Sequence, residues 1–218
     1  LSNSLKISGA YLADAANEPS DGSGLFNGAY SAIAQVLFTP SETLNLALTY
    51  VHGYNQSDPK TGSNLANLRA LTADLFTEAV PTVNNSYGLQ VSWSISDRII
   101  IGGWGALTKV TTLSTLNNQI EQGTQDIWNW ALTLALPDLG KEGNLGGIII
   151  GMEPWVTDSS IENFPEDRDT SLHVEAFYQY QITDYLTLTP GVIWITAPDN
   201  NNNNKDLVIG TLRTTFSF

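Results

Sequence analysis

Few side chains in this sequence are of the kinds that catalyse reactions or hold metals. There is no cysteine, so disulfides, thiolate metal sites and a cysteine nucleophile are excluded. His52 and His173 are the only histidines, and neither stands in a ligand spacing, so a metal centre is not expected. Oxygen donors cluster in two places: Asp199 to Asp206, which includes the run Asn200 to Asn204, and PEDRD at 165–169. Each could offer oxygens to a hard cation such as calcium, but both read better as hydrated loops. His173 beside Asp167 or Asp169 is the one hydrolytic arrangement to look for. Phosphate-cradling glycine loops and nucleophile elbows are absent; GGIIIG and IGGWG read as glycines within strands. No cofactor is expected.

Charge and hydropathy narrow the class further. Nine Lys and Arg stand against 22 Asp and Glu in 218 residues, a formal net charge of −13. That balance argues against a surface built for nucleic-acid phosphates. No apolar run approaches the roughly 18–20 residues of a membrane helix, so a helical membrane protein is excluded. The sequence starts at Leu1 rather than Met, which suggests a processed chain or a piece of a longer one.

The elements that position any site are strands. Apolar residues alternate with small or polar ones over ten segments: 5–12, 30–38, 44–54, 87–95, 99–109, 128–136, 146–156, 172–182, 186–196 and 207–218. Tyr87, Leu89, Val91, Trp93 and Ile95 oppose Gly88, Gln90, Ser92 and Ser94, the cleanest case. The 99–109 and 186–196 segments alternate less regularly, so their facing is open. Short connections alternate with long ones (14–27, 55–81, 110–126, 157–170 and 197–206), as in an up-and-down meander with tight turns at one end. Most acidic residues fall in the long connections, Asp126 and Asp158 among them.

Residue size indicates which face is wet. The polar face is Gly, Ser, Thr, Asn, Gln and Ala with few charges, a poor exterior for a soluble barrel. The apolar face carries Leu, Val and Ile in mid-strand and aromatics toward strand ends: Tyr30, Phe38, Tyr50, Tyr87, Trp93, Trp128, Trp130, Tyr178, Tyr180, Trp194, Phe216 and Phe218. That distribution predicts aromatic girdles at two membrane interfaces. The predicted class is all-β, an antiparallel up-and-down transmembrane β-barrel. A closed ring of ten strands is narrow enough for side chains to plug, whereas small lining residues suit a wider pore. The 5–12 strand is therefore expected not to pair with 207–218.

Alternation nominates the polar face as a pore lining: Gln35, Asn45, Thr49, Gln90, Ser92, Asn129, Thr133, Glu153, His173, Glu175, Gln179, Thr211 and Arg213. Glu153, His173, Glu175 and Arg213 are candidates for one interior charge network. In the longest connection, Leu65, Leu68, Leu71 and Leu75 recur at helical spacing and predict a short amphipathic helix. This loop either narrows the pore, with Lys60, Arg69, Asp74 and Glu78 as selectivity charges, or lies on the outer rim or at a subunit contact. An aromatic track for sugars along the polar face is not evident.

Four stretches carry a family likeness: NSYGLQVSWSISDRIIIGGW from Asn85, DIWNWALTLALPDLGKEGNLGGIIIGMEPW from Asp126, DTSLHVEAFYQYQITDYLTLTPGVIWITAPD from Asp169, and the closing VIGTLRTTFSF. The sequence resembles the cyanobacterial outer-membrane porins of the OprB-like carbohydrate-porin family, over most of its length. The resemblance implies an outer-membrane barrel of about sixteen strands, commonly trimeric, behind an N-terminal envelope-anchoring domain of the S-layer-homology type and a coiled coil. The present chain would be its C-terminal barrel portion, 1–218, with the anchoring domain and early strands lying outside it. The closing strand, ending on Phe216 and Phe218, looks like the signal that barrel-assembly machinery reads. Implied partners are outer-membrane lipid, that machinery, two further copies in a homotrimer, and small ions and solutes. The resemblance names sugars as cargo, while its cyanobacterial members are regarded mainly as routes for ions and small solutes. Neither an enzyme nor a nucleic-acid binder is expected; an outer-membrane hydrolase and an envelope-tethering barrel are the rival readings.

Overall fold

Ten strands account for most of the molecule in the computed structural model, which describes residues 4–218. They are β1 (Leu5–Ala13), β2 (Tyr30–Ser41), β3 (Leu44–Tyr54), β4 (Thr82–Ser96), β5 (Ile99–Thr112), β6 (Thr124–Pro137), β7 (Leu145–Ser159), β8 (His173–Thr183), β9 (Leu186–Ile195) and β10 (Leu207–Phe216). Each pairs antiparallel with its sequence neighbour, giving one sheet in the order β1 to β10. β1 and β10 are its edges and do not pair with each other, as the width argument anticipates. Connections as short as two residues, Glu42–Thr43, Asp97–Arg98 and Asp184–Tyr185, link strands at one end of the sheet, and the long ones all lie at the other. Among the described residues no helix is long and apolar enough to cross a membrane, which has no bearing on crossing by strands.

Register aligns like with like across the sheet. Val36, Leu48, Leu89, Gly105, Trp130 and Met152 form one cross-strand row on the apolar face. Gln35, Thr49, Gly88, Ala106 and Asn129 form a neighbouring row on the polar face. Because side chains alternate strictly, a slip of one residue would exchange the faces, so the pattern fixes the register. The apolar face is uncovered: Leu48 is 61 % exposed, Leu132 60 % and Leu212 68 %. Large aliphatic groups left open over a whole sheet face are what a bilayer-facing wall requires.

Several strands run further toward the loop end than alternation indicates. β4 begins at Thr82 instead of Tyr87 and β6 at Thr124 instead of Trp128. Segments such as TVNNS at 82–86 are largely polar on both faces, so they carry no amphipathic signal even though the ladder continues through them. Asp126 and Asp158 accordingly lie on strands, opposite one another, and Asp126 pairs with Lys109 at 2.9 Å.

The buried core sits at the loop end, not between sheet faces. The 55–81 connection contains a 3-10 turn, Leu65–Asn67, that leads into α1 (Leu68–Phe76). Leu68 packs with Val80, Leu116, Ile120, Ile161 and Phe164, joined by Leu65, Leu71 and Phe76. The helix forms where predicted, but Leu75 is 58 % exposed and Thr72 is buried in its place. Thr72 is satisfied in the core: its hydroxyl donates to Leu68 O at 2.9 Å and accepts from Val80 N–H at 2.9 Å.

Candidate functional site

The 55–81 loop lies against the polar face of the sheet. Ala66 and Leu65 pack on Val110, Ile127 and Val156, the loop-end residues of β5, β6 and β7 on that face. Its leading edge is pinned by carboxylates from three other elements. Gly62 N–H donates to Glu153 Oε2 at 2.8 Å, the Ser63 hydroxyl donates to Asp167 Oδ2 at 2.7 Å, and Asn64 N–H donates to Asp199 Oδ1 at 2.7 Å. Asn64 Nδ2 adds a second bond to Asp199 at 3.0 Å, and Ser63 N–H donates to Pro154 O at 3.0 Å. Charge-assisted bonds of this kind are roughly twice as strong as neutral ones.

Local chemistry explains why the chain adopts this path. Gly62 has φ +80°, and a Cβ there would lie 2.0 Å from Pro154 O, so only glycine fits. Behind it, Asp58 accepts the Ala70 N–H at 2.7 Å, and Arg69 donates to Asn55 Oδ1 at 3.0 Å and Val80 O at 2.8 Å. Burial pushes the Asp58 carboxyl above its ordinary value of 3.8, against the Ala70 amide and Arg69, which lower it. Burial likewise lowers Arg69, with Asp58 opposing. Asp167 is also raised by burial, opposed by the Ser63 hydroxyl and the Val156 amide, with Asp199 adding like-charge repulsion.

Beneath the loop is a cavity of about 280 Å³ lined by Gln56, Asp58, Asn84, Ser86, Thr108 and Asn129 among others. Gln56 Nε2 and Asn84 Oδ1 are buried without a protein partner, the setting in which solvent completes the hydrogen bonding.

A second recess, of about 390 Å³, opens on the polar face beside the loop edge. Its floor is Ala131 and Gly151, which lie in one cross-strand row between Trp104 and His173. Trp104 forms one wall, its indole N–H donating to Asn129 Oδ1 at 3.1 Å. Opposite, His173 Nδ1 is 3.3 Å from Glu153 Oε1, and Nε2 is 3.5 Å from Glu175 Oε2. Thr61 of the loop also lines the recess, and among the described residues no Lys or Arg does.

The nominated lining residues share the polar face, but only some meet. Gln35 Nε2 donates to Thr49 Oγ1 at 2.9 Å, and Asn45 accepts from the Thr39 hydroxyl at 2.9 Å. Gln90 pairs in register with Trp104. Glu153, His173 and Glu175 form a linked trio. Arg213 stays out of it: it sits with Glu175 and Gln179 around a neighbouring hollow and has no carboxylate within ion-pair distance among the described residues. His173 contacts glutamates, not Asp167 or Asp169, whose side chains instead receive Ser63 and the Asn202 N–H. Among the loop charges, Arg69 is committed inside the loop, while Lys60, Asp74 and Glu78 are exposed. Among the described residues no three His, Asp or Glu come together as metal ligands.

Two features were not legible beforehand. Trp104 lies on the polar face, because its neighbours Gly103 and Gly105 share the apolar rows of Leu132 and Trp130. Phe177 also points to the polar side, its ring over Gly147, where a Cβ would meet Phe177 Cζ at 2.2 Å. On the apolar face, His52 is held between Asn85 Oδ1 at 3.0 Å and the Tyr30 hydroxyl at 3.2 Å, and Tyr50 donates to the same Asn85 oxygen at 2.7 Å. These are aromatic bodies with polar tips at the strand ends, as a membrane interface favours.

Residues 6–218 match the family described as carbohydrate-selective porin, OprB family. The chain belongs to the OprB family. Two cyanobacterial proteins are similar to it. An uncharacterized protein of Nostoc sp. (strain PCC 7120) is 36 % identical over 212 residues, which cover 95 % of this chain and 35 % of the relative. An uncharacterized protein of Synechocystis sp. (strain PCC 6803) is 32 % identical over 229 residues, covering 98 % of this chain and 41 % of the relative. The OprB-family chain thus spans well under half the length of these relatives. No solved structure matches it significantly.

Proposed function

We propose that this chain is the C-terminal part of an outer-membrane porin barrel, through which inorganic ions and small hydrophilic solutes diffuse passively, with cations favoured. The observation that carries this reading is the 55–81 loop pinned by Glu153, Asp167 and Asp199 against the polar face, the arrangement of a pore wall with an infolded constriction. The open edges of β1 and β10 support further strands, supplied by chain outside these residues, that complete a wider ring. Phe216 and Phe218 at the end of the sheet support recognition by barrel-assembly machinery. A homotrimer is the proposed assembly. Acidic loops at one rim concentrate cations at the mouth, an effect that salt screens.

The test is planar-bilayer recording of the full-length protein. Deleting Gly62 to Glu78 raises single-channel conductance if the loop constricts; an unchanged conductance rejects that role. Reversal potentials at low salt report cation preference, and an anion preference contradicts it. Sugar passage is a second reading, favoured by Trp104 on the polar face next to Asn129 and Glu153.

A further inference from the structure

The recess between Trp104 and His173 has a composition unlike the rest of the wall. On β3 and β4 the polar face presents small neutral groups such as Ser92, Thr49 and Gly88. Here an indole, 45 % exposed, faces two carboxylates across a floor of Ala131 and Gly151. Trp104 and His173 stand three strands apart, a backbone separation of about 14 Å, so a solute the width of one pyranose ring fits between the two walls. The indole is held by its bond to Asn129. Glu153 is held on both oxygens, by His173 and by Gly62 of the loop, whereas among the described residues Glu175 hydrogen-bonds only to His173, through Oε2.

We infer that this recess is a binding subsite for small ammonium-bearing hydrophilic solutes, the solute body lying on the Trp104 face and its ammonium against the Glu153 and Glu175 carboxylates. This rests on the porin reading of the same wall. The charge argument is direct. Two carboxylates and one imidazole leave the recess negative whether or not the imidazole is protonated, and among the described residues no Lys or Arg lines it, Arg213 standing with Glu175 at the neighbouring hollow without an ion pair. An ammonium gains from the carboxylates, while the ring that carries it stacks on the indole face. A neutral solute of the same shape gains only the stacking. Thr61 and Gly62 carry the constriction loop to the rim of the recess, so a solute seated there stands beside the narrowest part of the proposed path and interrupts ion flow while bound.

The experiment compares glucosamine with glucose as blockers of single-channel KCl current through the full-length protein in planar bilayers, near pH 6, where the amine is protonated. These probes share one ring and differ in the charged group. Glucosamine is expected to produce reversible, concentration-dependent interruptions at concentrations about tenfold lower than glucose. Trp104→Ala and Glu175→Gln each weaken glucosamine block at least about threefold, Trp104→Phe restores most of it, and Glu175→Gln leaves glucose block unaltered. Scoring glucosamine against glucose within each variant's own open channels removes differences in folding or insertion. Equal block by the two sugars in an open channel overturns the subsite and leaves the porin standing. Block by glucosamine that survives Trp104→Ala also overturns it. A protein that forms no channel overturns both.

Discussion

The backbone amide of Gly62 donates to Glu153 Oε2 at 2.8 Å, joining residues 91 positions apart and bringing the 55–81 loop to the wall of β7. The contact needs glycine, because φ is +80° and a Cβ would overlap Pro154 O. Gly62→Ala is therefore expected to shift the leading edge of the loop, at a cost of about 1–3 kcal/mol in local strain. The sheet is untouched, since no ladder bond involves Gly62. Limited proteolysis should show faster cleavage within 55–81, with unchanged cleavage at the tight turns. Equal protection of that loop in wild type and variant would show that it is not anchored there.

Leu68 is the largest fully buried side chain of α1 and joins the helix to Val80, Ile161 and Phe164. Leu68→Ala should cost about 2–5 kcal/mol, from lost apolar burial and the cavity left behind. The effect should be local, because this cluster lies in the loops and shares only the loop ends of β5 to β7. Hydrogen exchange would rise across 65–80 and the 113–123 and 160–172 connections, leaving mid-strand amides of β4 and β5 protected. Uniform loss of protection would contradict a separate loop-end core.

The sheet was largely legible in the sequence because each strand body sits between two unlike environments, and the chain must alternate to satisfy both. Trp93 and Trp128 could be placed on the apolar face for that reason. Legibility failed where the environments stop differing. Thr82 to Ser86 is ladder with largely polar residues on both faces, and the GGWG stretch has too few side chains to show a phase, so Trp104 was not assigned. The loop helix followed from leucine spacing, yet Leu75 is left exposed, and Thr72 is buried because its hydroxyl is satisfied by Leu68 O and Val80 N–H. The partners of Gly62, Ser63 and Asn64 come from three distant elements, and no local pattern encodes them.

Loop docking should strengthen as pH falls. Asp58 and Asp167 are both raised above 3.8 by burial when the loop is docked, and Asp199 raises Asp167 further. In an undocked loop they return toward the ordinary carboxylate value. The docked form therefore takes up protons more readily, so the contribution of each group is fully present below about pH 3.8 and is lost as pH rises through the docked-state value. At neutral pH both are a net cost. Asp167→Asn keeps an acceptor for Ser63 and Val156 without the charge, so it should protect the loop from protease at pH 7 and flatten the pH response. Weaker protection at pH 5 than at pH 7 in the wild type would reverse the sign.

Leu132 and Thr133 are adjacent on β6 and face opposite ways, which makes them a direct test of which side meets hydrocarbon. Leu132 shares its row with Gly103 and Ile150, and Thr133 pairs with Gly102 and Ile149. Arginine at 132 would stand at mid-strand on the apolar face and should destabilise folding into liposomes by about 2–4 kcal/mol, since no water reaches it there. Arginine at 133 would point into the polar side and reach solvent, with a cost below about 1 kcal/mol and a shift of ion selectivity toward anions as its readout. Urea titration of both variants in the same lipid gives the comparison. Equal costs, or a larger cost at 133, would mean that the small polar face is not the solvated one, and the permeation reading would fall with it.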